Sequence, residues 1–586
     1  MPLTTHQAQL CWSNLKLSTK IKEKIIINNV TGTIGPKSMY ALMGGSGAGK
    51  SSLMNALAGR LPPETKLKGK IRVNTCERNI KTWPLLISYV EQEFYSYETM
   101  TVYETLEFSA CMRLNKPASS VKSGVIEILN VLGLLPISDQ LLKNISGGEK
   151  KRVAIGVELV SNPHILFLDE PLSGLDSYNG IKILGVLRNL LSFNKTILVT
   201  IHQPSEKMLE MFDGLILMHE GEIIFQGTIE ECKDLMESCG YPKPENMSLS
   251  EHFLDVVSLD VESIDTSQER INKVKTKWKI EFPNQQNNQL SETLEIIEPE
   301  SVKLKLFSLI ERNIKCILRD LDYLKIQCFQ KLSLILLFGL SYLRLGYEQE
   351  DIQSRIGVIF FIMLNSLFGT CSPLFNIFPI EKRIIKRERN SGMYDGITAY
   401  VAKFISQLPF ILFFNIIYIT SVYWMVGLSS NVGKFVIFLI IQISLLFASL
   451  GIGLTIGTVA PTSSFAQVLG STIVLVFVIF GGSFSNPDTI PSWLRWIIWI
   501  SPVNYGFRAS MQNQFSGEVF SCNDNSMGCI STGEDIIDKY GVGTPSIWPC
   551  IFCLWGLILV YIIIGSILLH YITRMKINIE DNVESV

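Results

Sequence analysis

The sequence predicts an α/β domain followed by an all-α membrane domain of six transmembrane helices. Up to about residue 255, short β-branched runs alternate with helical patterns, the signature of strands and helices in turn. From Ile326 onward the chain is dominated by long apolar runs. Between them, Glu262–Lys305 is polar and charged, with the run NQQNNQ inside it, and is expected to be a linker with some helix. The expected domains are therefore 1–255, a linker at 256–305, and a membrane domain at 306–586. At 586 residues the chain is too long for a single core.

Composition agrees. Hydrophobic residues make up 47% and mean hydropathy is +0.27, yet 18% of residues are charged, as for a polar half beside an apolar one. The net charge of -2 offers no electrostatic footprint for nucleic acid, and no such partner is expected. Twelve cysteines are dispersed along the chain and predict no zinc or iron–sulfur framework. The N-terminus lacks a basic flank followed by an apolar run, so no cleavable signal peptide is expected.

In the first domain, the runs Lys24–Asn28, Tyr40–Met43, Ile165–Leu168 and Thr196–Thr200 are expected strands. After the second comes Gly44-Gly45-Ser46-Gly47-Ala48-Gly49-Lys50-Ser51, then the helical stretch Ser52–Gly59. Strand, G-x-x-x-x-G-K-S and helix in register make a phosphate-binding loop. Glycines let backbone N–H groups curl around phosphates, and the helix adds its positive end. Lys50 is expected to reach the β- and γ-phosphates, Ser51 to ligate Mg²⁺, and Ser52 to complete the binding segment.

Ile165–Leu168 reads as a strand buried on both faces, with Asp169 and Glu170 just past its end. Ligands collect at that edge of a parallel sheet. Asp169 is expected in the Mg²⁺ shell, and Glu170 to polarise the attacking water as general base. A third element, Ile145-Ser146-Gly147-Gly148-Glu149-Lys150, places small residues before the helical run Lys151–Leu159. Taken alone it fits either a second phosphate-contacting nest or a glycine-hinged helix start.

The order GGSGAGKS, YVEQE, ISGGEKKRV, ILFLDEP, SGLD, TIHQPS resembles the nucleotide-binding domain of ATP-binding cassette transporters. With the cassette ahead of the membrane part, the chain resembles half-transporters of the G subfamily, the White or pleiotropic-drug-resistance-like group. The resemblance implies that Gln92 monitors Mg²⁺, that Ser146, Gly147 and Gly148 form the signature, and that Asp176 lies on the loop joining two catalytic sites. It also implies that His202 senses the γ-phosphate. It further implies a P-loop NTPase fold, an obligate dimer with a second half-transporter, ATP as cofactor, and export of a small apolar substrate across the bilayer. Glu93 stands where the family often has Asp, and Trp12 is the aromatic candidate for adenine stacking. The competing expectation is an ATP-switched membrane regulator or scaffold with little transport.

Membrane helices are expected at 326–345, 355–377, 401–423, 433–458, 466–484 and 547–571, each near the ~20 residues that cross a bilayer. Lys382, Arg383, Lys386, Arg387 and Arg389 follow the second, and Arg574 and Lys576 follow the last. Basic residues collect on the cytosolic side, so both termini are expected in the cytosol and 485–546 outside. The expected location is the plasma membrane, with an organelle membrane as the alternative. In the outer segment, Trp493, Trp496 and Trp499 beside Arg495 predict a re-entrant or interfacial helix. Cys522 and Cys529 are candidates for an intraloop disulfide, or remain free or differently paired. Arg387-Glu388-Arg389 has two readings: positive charges that fix topology, or an ion pair of Glu388 holding this segment against neighbouring helices. Asn365 and Phe368, three positions apart, share a face of the second helix and are either a packing pair or part of a substrate cavity.

Overall fold

A computed structural model describes residues 7–20, 23–62, 64–74, 76–79, 83–114, 117–259, 264–281, 302–482, 490–521 and 530–573. The described residues divide into two compact units, one within Met1–Ser301 together with Asn390–Met393, the other within Val302–Arg389 and Tyr394–Arg574.

The first unit holds ten strands: β1 (Leu10–Thr19), β2 (Ile25–Ile34), β3 (Met39–Gly44), β4 (Thr65–Val73), β5 (Cys76–Glu77), β6 (Ile87–Val90), β7 (Ile165–Leu168), β8 (Thr196–Thr200), β9 (Gly214–His219) and β10 (Glu222–Gly227). They form an antiparallel sheet in the order β2-β1-β4-β5 and a six-stranded sheet in the order β10-β9-β3-β8-β7-β6. In the larger sheet every pairing except β10 with β9 is parallel. Strands β6, β7 and β8 are buried at every position, which is why they read as unbroken apolar runs. Non-sequential strand order brings the C-terminal ends of β3, β8, β7 and β6 side by side.

The polar stretch expected to be linker from 256 contains a helix of this unit, Ile264–Glu281. Ile271 and Val274 are buried, and Trp278 packs at 6.3 Å from Phe225 while its Nε1 donates to the Gln226 carbonyl at 3.1 Å. Three apolar contacts a turn apart suffice to dock a helix that is otherwise charged, so the cassette extends past 255.

The second unit begins with the connecting helix Val302–Arg319. Asp320 caps the next helix, its side chain accepting from the Tyr323 N–H at 3.1 Å, so the first membrane helix is Leu321–Ser341 and starts earlier than expected. Five described helices are long and apolar enough to cross a membrane: Leu321–Ser341, Gln349–Asn390, Gly396–Val426, Val432–Val459 and Ile547–Thr573. The expected fifth, 466–484, is the helix Ser463–Ile479, 17 residues long. At about 1.5 Å per residue it falls short of the ~30 Å apolar core. It stops where Phe480 leads into Gly481 and Gly482, the latter at φ 87°. Among the described residues, five of the six expected spans thus have full length, and the sixth is a shorter apolar helix.

Two further expectations are corrected. The basic cluster after the second span is no loop, because the helix Gln349–Asn390 runs on for 42 residues and carries those charges on its last turns. The described residues of the segment 485–546 hold more helix than the one expected at its tryptophans. Trp496–Ile500 is a short helix with Trp496 and Trp499 exposed beside exposed Trp493. It is followed by Pro502–Phe515, a helix buried at every residue. Polar side chains find partners inside: Arg508 Nε donates to Asn504 at 2.8 Å, Gln512 to the Val542 and Pro545 carbonyls, and Gln514 Nε2 to Tyr423, while Gln514 Oε1 is left without one. Buried polar groups with such partners are stable, yet in sequence they look like a loop. Cys522 and Cys529 lie outside the described residues. Cys550 and Cys553 make a C-x-x-C spacing within the last membrane helix, both as free thiols.

Glu388 forms the ion pair expected of it. Arg312 of the connecting helix reaches both carboxylate oxygens at 2.8 Å, Arg387 lies at 3.5 Å, and the Tyr394 hydroxyl donates to the same carboxylate.

Candidate nucleotide site

β3 ends on Gly44, and the chain turns through five residues into the helix Lys50–Ala58. Gly47 and Gly49 adopt φ of 81° and 96°, left-handed values that glycine takes without penalty. A Cβ at Gly45 or Gly47 would meet nothing within 4 Å, so the loop is open on that side. The Ala48 N–H donates to the Gly45 carbonyl at 3.2 Å, closing the turn. Lys50 folds back over it, Nζ donating to the carbonyls of Gly44 at 2.8 Å and Gly45 at 3.0 Å. Burial lowers its pKa, while the carboxylates of Glu170 and Asp169 oppose that shift.

Asp169 follows β7 directly and is held by three hydroxyls. Its Oδ1 accepts from Ser51 at 3.2 Å and Thr200 at 2.8 Å, and its Oδ2 from Tyr89 at 2.9 Å. Burial raises the Tyr89 phenol, and the adjacent Asp169 charge adds to it, so the phenol stays a donor. Glu170 sits at φ 44° with its N–H on Thr200 Oγ1 at 2.7 Å. Its carboxylate accepts from Gln92 Nε2 at 2.9 Å. Lys151 Nζ donates to the Gln92 carbonyl at 2.5 Å. The expected residues Ser51, Gln92, Lys50, Asp169 and Glu170 are thus brought together at one edge of the sheet. Tyr89, Thr200 and Lys151 join them without having been singled out. Only the pairing of β6 with β7 and β7 with β8 places the first two beside Asp169.

His202 follows β8 at the same edge and is exposed. The signature segment stands apart from the hydrogen bonds around Asp169. Ser146 caps the helix Gly147–Leu159 in a capping box with Glu149, its Oγ 2.8 Å from the Glu149 carboxylate. That carboxylate's pKa is lowered, chiefly by the Ser146 N–H. Asp176 caps the helix Ser177–Leu191 by accepting from the Asn179 N–H at 2.8 Å. The two caps pack together: a Cβ on Gly147 would meet Leu175 at 3.7 Å, and one on Gly148 would meet Asn179 at 3.8 Å. Ser146, Gly147 and Asp176 all lie at the surface. Trp12 is not placed for stacking on adenine; it is 2% exposed and packs over Gly32 in the core.

A phosphate loop, a paired acidic edge and a parallel sheet in this order define a nucleotide-binding ATPase. Family models agree along most of the chain. Residues 27–173 match the ABC transporter model, and residues 202–305 and 305–515 match two ABC-2 type transporter models. ABC transporter G family member 7 of Arabidopsis thaliana is 29% identical over 567 residues, covering 91% of this chain and 77% of that protein. Protein white of Drosophila melanogaster is 28% identical, covering 88% of this chain and 78% of that protein. The broad substrate specificity ATP-binding cassette transporter ABCG2 of Mus musculus is 29% identical, covering 95% and 92%. The solved nucleotide-free ATP-binding cassette of an ABC transporter aligns at 22% identity and a TM-score of 0.34, covering 38% of this chain and 91% of that one. The chain belongs to the ATP-binding cassette transporters, in the G-subfamily arrangement of cassette before membrane domain. It is a multi-pass integral membrane protein that binds ATP and couples its hydrolysis to transmembrane transport.

Proposed function

We propose that this chain is a half-transporter that dimerises and exports a largely apolar compound, a lipid or sterol among them. The observation that carries the dimer is the division of the motif set. Ser51, Asp169, Glu170 and Gln92 join through hydrogen bonds at the edge that carries Lys50, whereas Ser146, Gly147 and Asp176 face solvent as a second surface. A surface nest of backbone donors at a helix start binds phosphate, and a second copy brings one against the open side of the loop. Homodimer and heterodimer are separated by co-capture of tagged and untagged copies.

Within each site, Gly44 to Ser52 cradle the phosphates, and Lys50 exchanges its loop carbonyls for phosphate oxygens. The Ser51 hydroxyl and Asp169 carboxylate, 3.2 Å apart, with Gln92 nearby, are a donor set suited to Mg²⁺, which takes few protein oxygens and keeps phosphate and water ligands. Bound there, Mg²⁺ would supply neutralisation of phosphate charge. Glu170 polarises the attacking water, Gln92 fixes the Glu170 carboxylate, and His202 contacts the γ-phosphate. Lys50→Ala should weaken ATP binding by at least about tenfold, since it removes the only cation on the loop and its charge-assisted bonds. Titration with a fluorescent ATP analogue checks this, and affinity equal to wild type would remove Lys50 from the phosphate contacts.

The end of Gln349–Asn390, where basic residues collect, is proposed to lie in the cytosol, with Ser463–Ile479 crossing as a short sixth span that returns both termini to that side. The plasma membrane is the proposed location, and a tagged chain imaged against organelle markers decides it. Asn365 and Phe368 of the second membrane helix are half-buried, with Phe368 packed at the margin of the membrane core. We assign them to the substrate cavity. Phe368→Ala should then reduce sterol- or lipid-stimulated ATPase at least severalfold while basal turnover and surface expression hold. Identical stimulation curves for every stimulatory ligand would make Phe368 a packing residue.

A further inference from the structure

The first membrane helix, Leu321–Ser341, buries few residues, and two of them are Gln327 and Lys331, one turn apart. Lys331 stands at its midpoint, about 15 Å of helix rise from either end. It is 3% exposed, and its Nζ has no hydrogen-bond partner. The ammonium lies 5.4 Å from the centre of the Tyr418 ring, an attraction that leaves the charge unneutralised. Gly369 of the second membrane helix provides the room. A Cβ there would stand 3.2 Å from Lys331 Nζ and 3.1 Å from Asn365 Oδ1. Asn365 Nδ2 and the Tyr418 hydroxyl are also buried; the two side chains interact, and neither atom makes a hydrogen bond of good geometry. An ammonium, an amide and a phenol therefore gather around one glycine notch.

Charged side chains at mid-membrane are costly and persist where they pair or serve a ligand. Among the described residues no carboxylate pairs with Lys331. We propose that Lys331, with Asn365, holds the anionic group of an amphiphile, a carboxylate, sulfate or phosphate, whose apolar body lies against Phe368. Asn365, Phe368 and Gly369 share one helical face, as i, i+3 and i+4, so head and body are served by adjacent positions. This rests on the assignment of Asn365 and Phe368 to the cavity. It narrows the cargo from any apolar compound to an amphipathic anion.

The test is binding of radiolabelled cholesteryl sulfate and cholesterol to the full chain in phosphatidylcholine nanodiscs, read without turnover. Wild type should hold the sulfate about tenfold more tightly than the sterol, an increment of about 1.4 kcal/mol. Lys331→Met should abolish the difference and Lys331→Arg keep it, with cholesterol binding the same in all three. Lys331→Met removes a buried charge at similar size, so it should insert at wild-type levels and unfold no earlier on heating. Replacing part of the phosphatidylcholine with phosphatidylglycerol separates the sources. A bilayer phosphate at Lys331 makes it compete with the sulfate in wild type alone, and a free amphiphile leaves sulfate binding unchanged. Equal binding of sulfate and cholesterol by wild type, or discrimination retained in Lys331→Met, overturns the proposal. Dissociation of the dimer in Lys331→Met with discrimination intact would assign the lysine to a contact between copies instead. If no apolar compound stimulates ATPase, the transport reading fails by itself, because the binding comparison stands apart from it.

Discussion

Glu170→Gln is expected to lower ATP turnover by about 10²- to 10⁴-fold, the usual contribution of a positioned general base, with ATP affinity unchanged. The side chain keeps its size, so the geometry that places it should survive. That geometry is fixed from three sides: the backbone N–H on Thr200, the carboxylate on Gln92, and a left-handed φ of 44° that aims the side chain away from the strand. Holding a non-glycine residue there costs roughly 1–3 kcal/mol, offset by the surrounding contacts. The amide oxygen can still accept from Gln92, but it cannot take a proton from water. Phosphate release and nucleotide binding measured on the same preparation separate the two effects. Turnover near wild type would move the base elsewhere.

Glu388→Ala has the second largest expected effect. Arg312 and Glu388 are 4% and 5% exposed at their side chains, and both carboxylate oxygens are engaged by one guanidinium nitrogen at 2.8 Å. Removing one partner of a buried pair typically costs about 3–5 kcal/mol, because the other charge is stranded. Arg387 beside it raises the penalty by adding a second cation. The membrane unit should lose thermal stability, and Glu388→Gln should lose less. In the fraction that folds, basal ATPase should persist while substrate stimulation falls away. Equal losses of surface expression and transport, with the stimulation ratio intact, would reduce this segment to a topology determinant.

Chemistry was more legible in the sequence than placement. The phosphate loop, the acidic pair after Ile165–Leu168 and the signature helix start are local patterns, and each forms where its spacing requires. Strands β7 and β8 match their apolar runs residue for residue. The convergence of Gln92, Asp169 and Ser51 needed the strand order β3-β8-β7-β6, which local patterns do not encode. Tyr89 and Thr200 were invisible for the same reason. In the membrane unit, Pro502–Phe515 misled because its Asn, Gln and Arg side chains find partners inside. The 42-residue second helix misled in the opposite way, since charges on its last turns resemble a loop. Ile264–Glu281 docks through three apolar residues in a charged stretch, too sparse a stripe to stand out.

Whether ATP hydrolysis in this chain drives movement of an apolar compound is addressed directly by one measurement. Full-length protein in proteoliposomes is given ATP with labelled sterols and phospholipids, and turnover and vectorial movement are recorded together. The expected result is substrate-stimulated ATPase, ATP-dependent movement of the stimulating compound, and loss of both in Glu170→Gln. ATP binding without turnover, or turnover that no apolar compound changes and that moves nothing across the bilayer, would contradict it and leave an ATP-switched membrane regulator in its place.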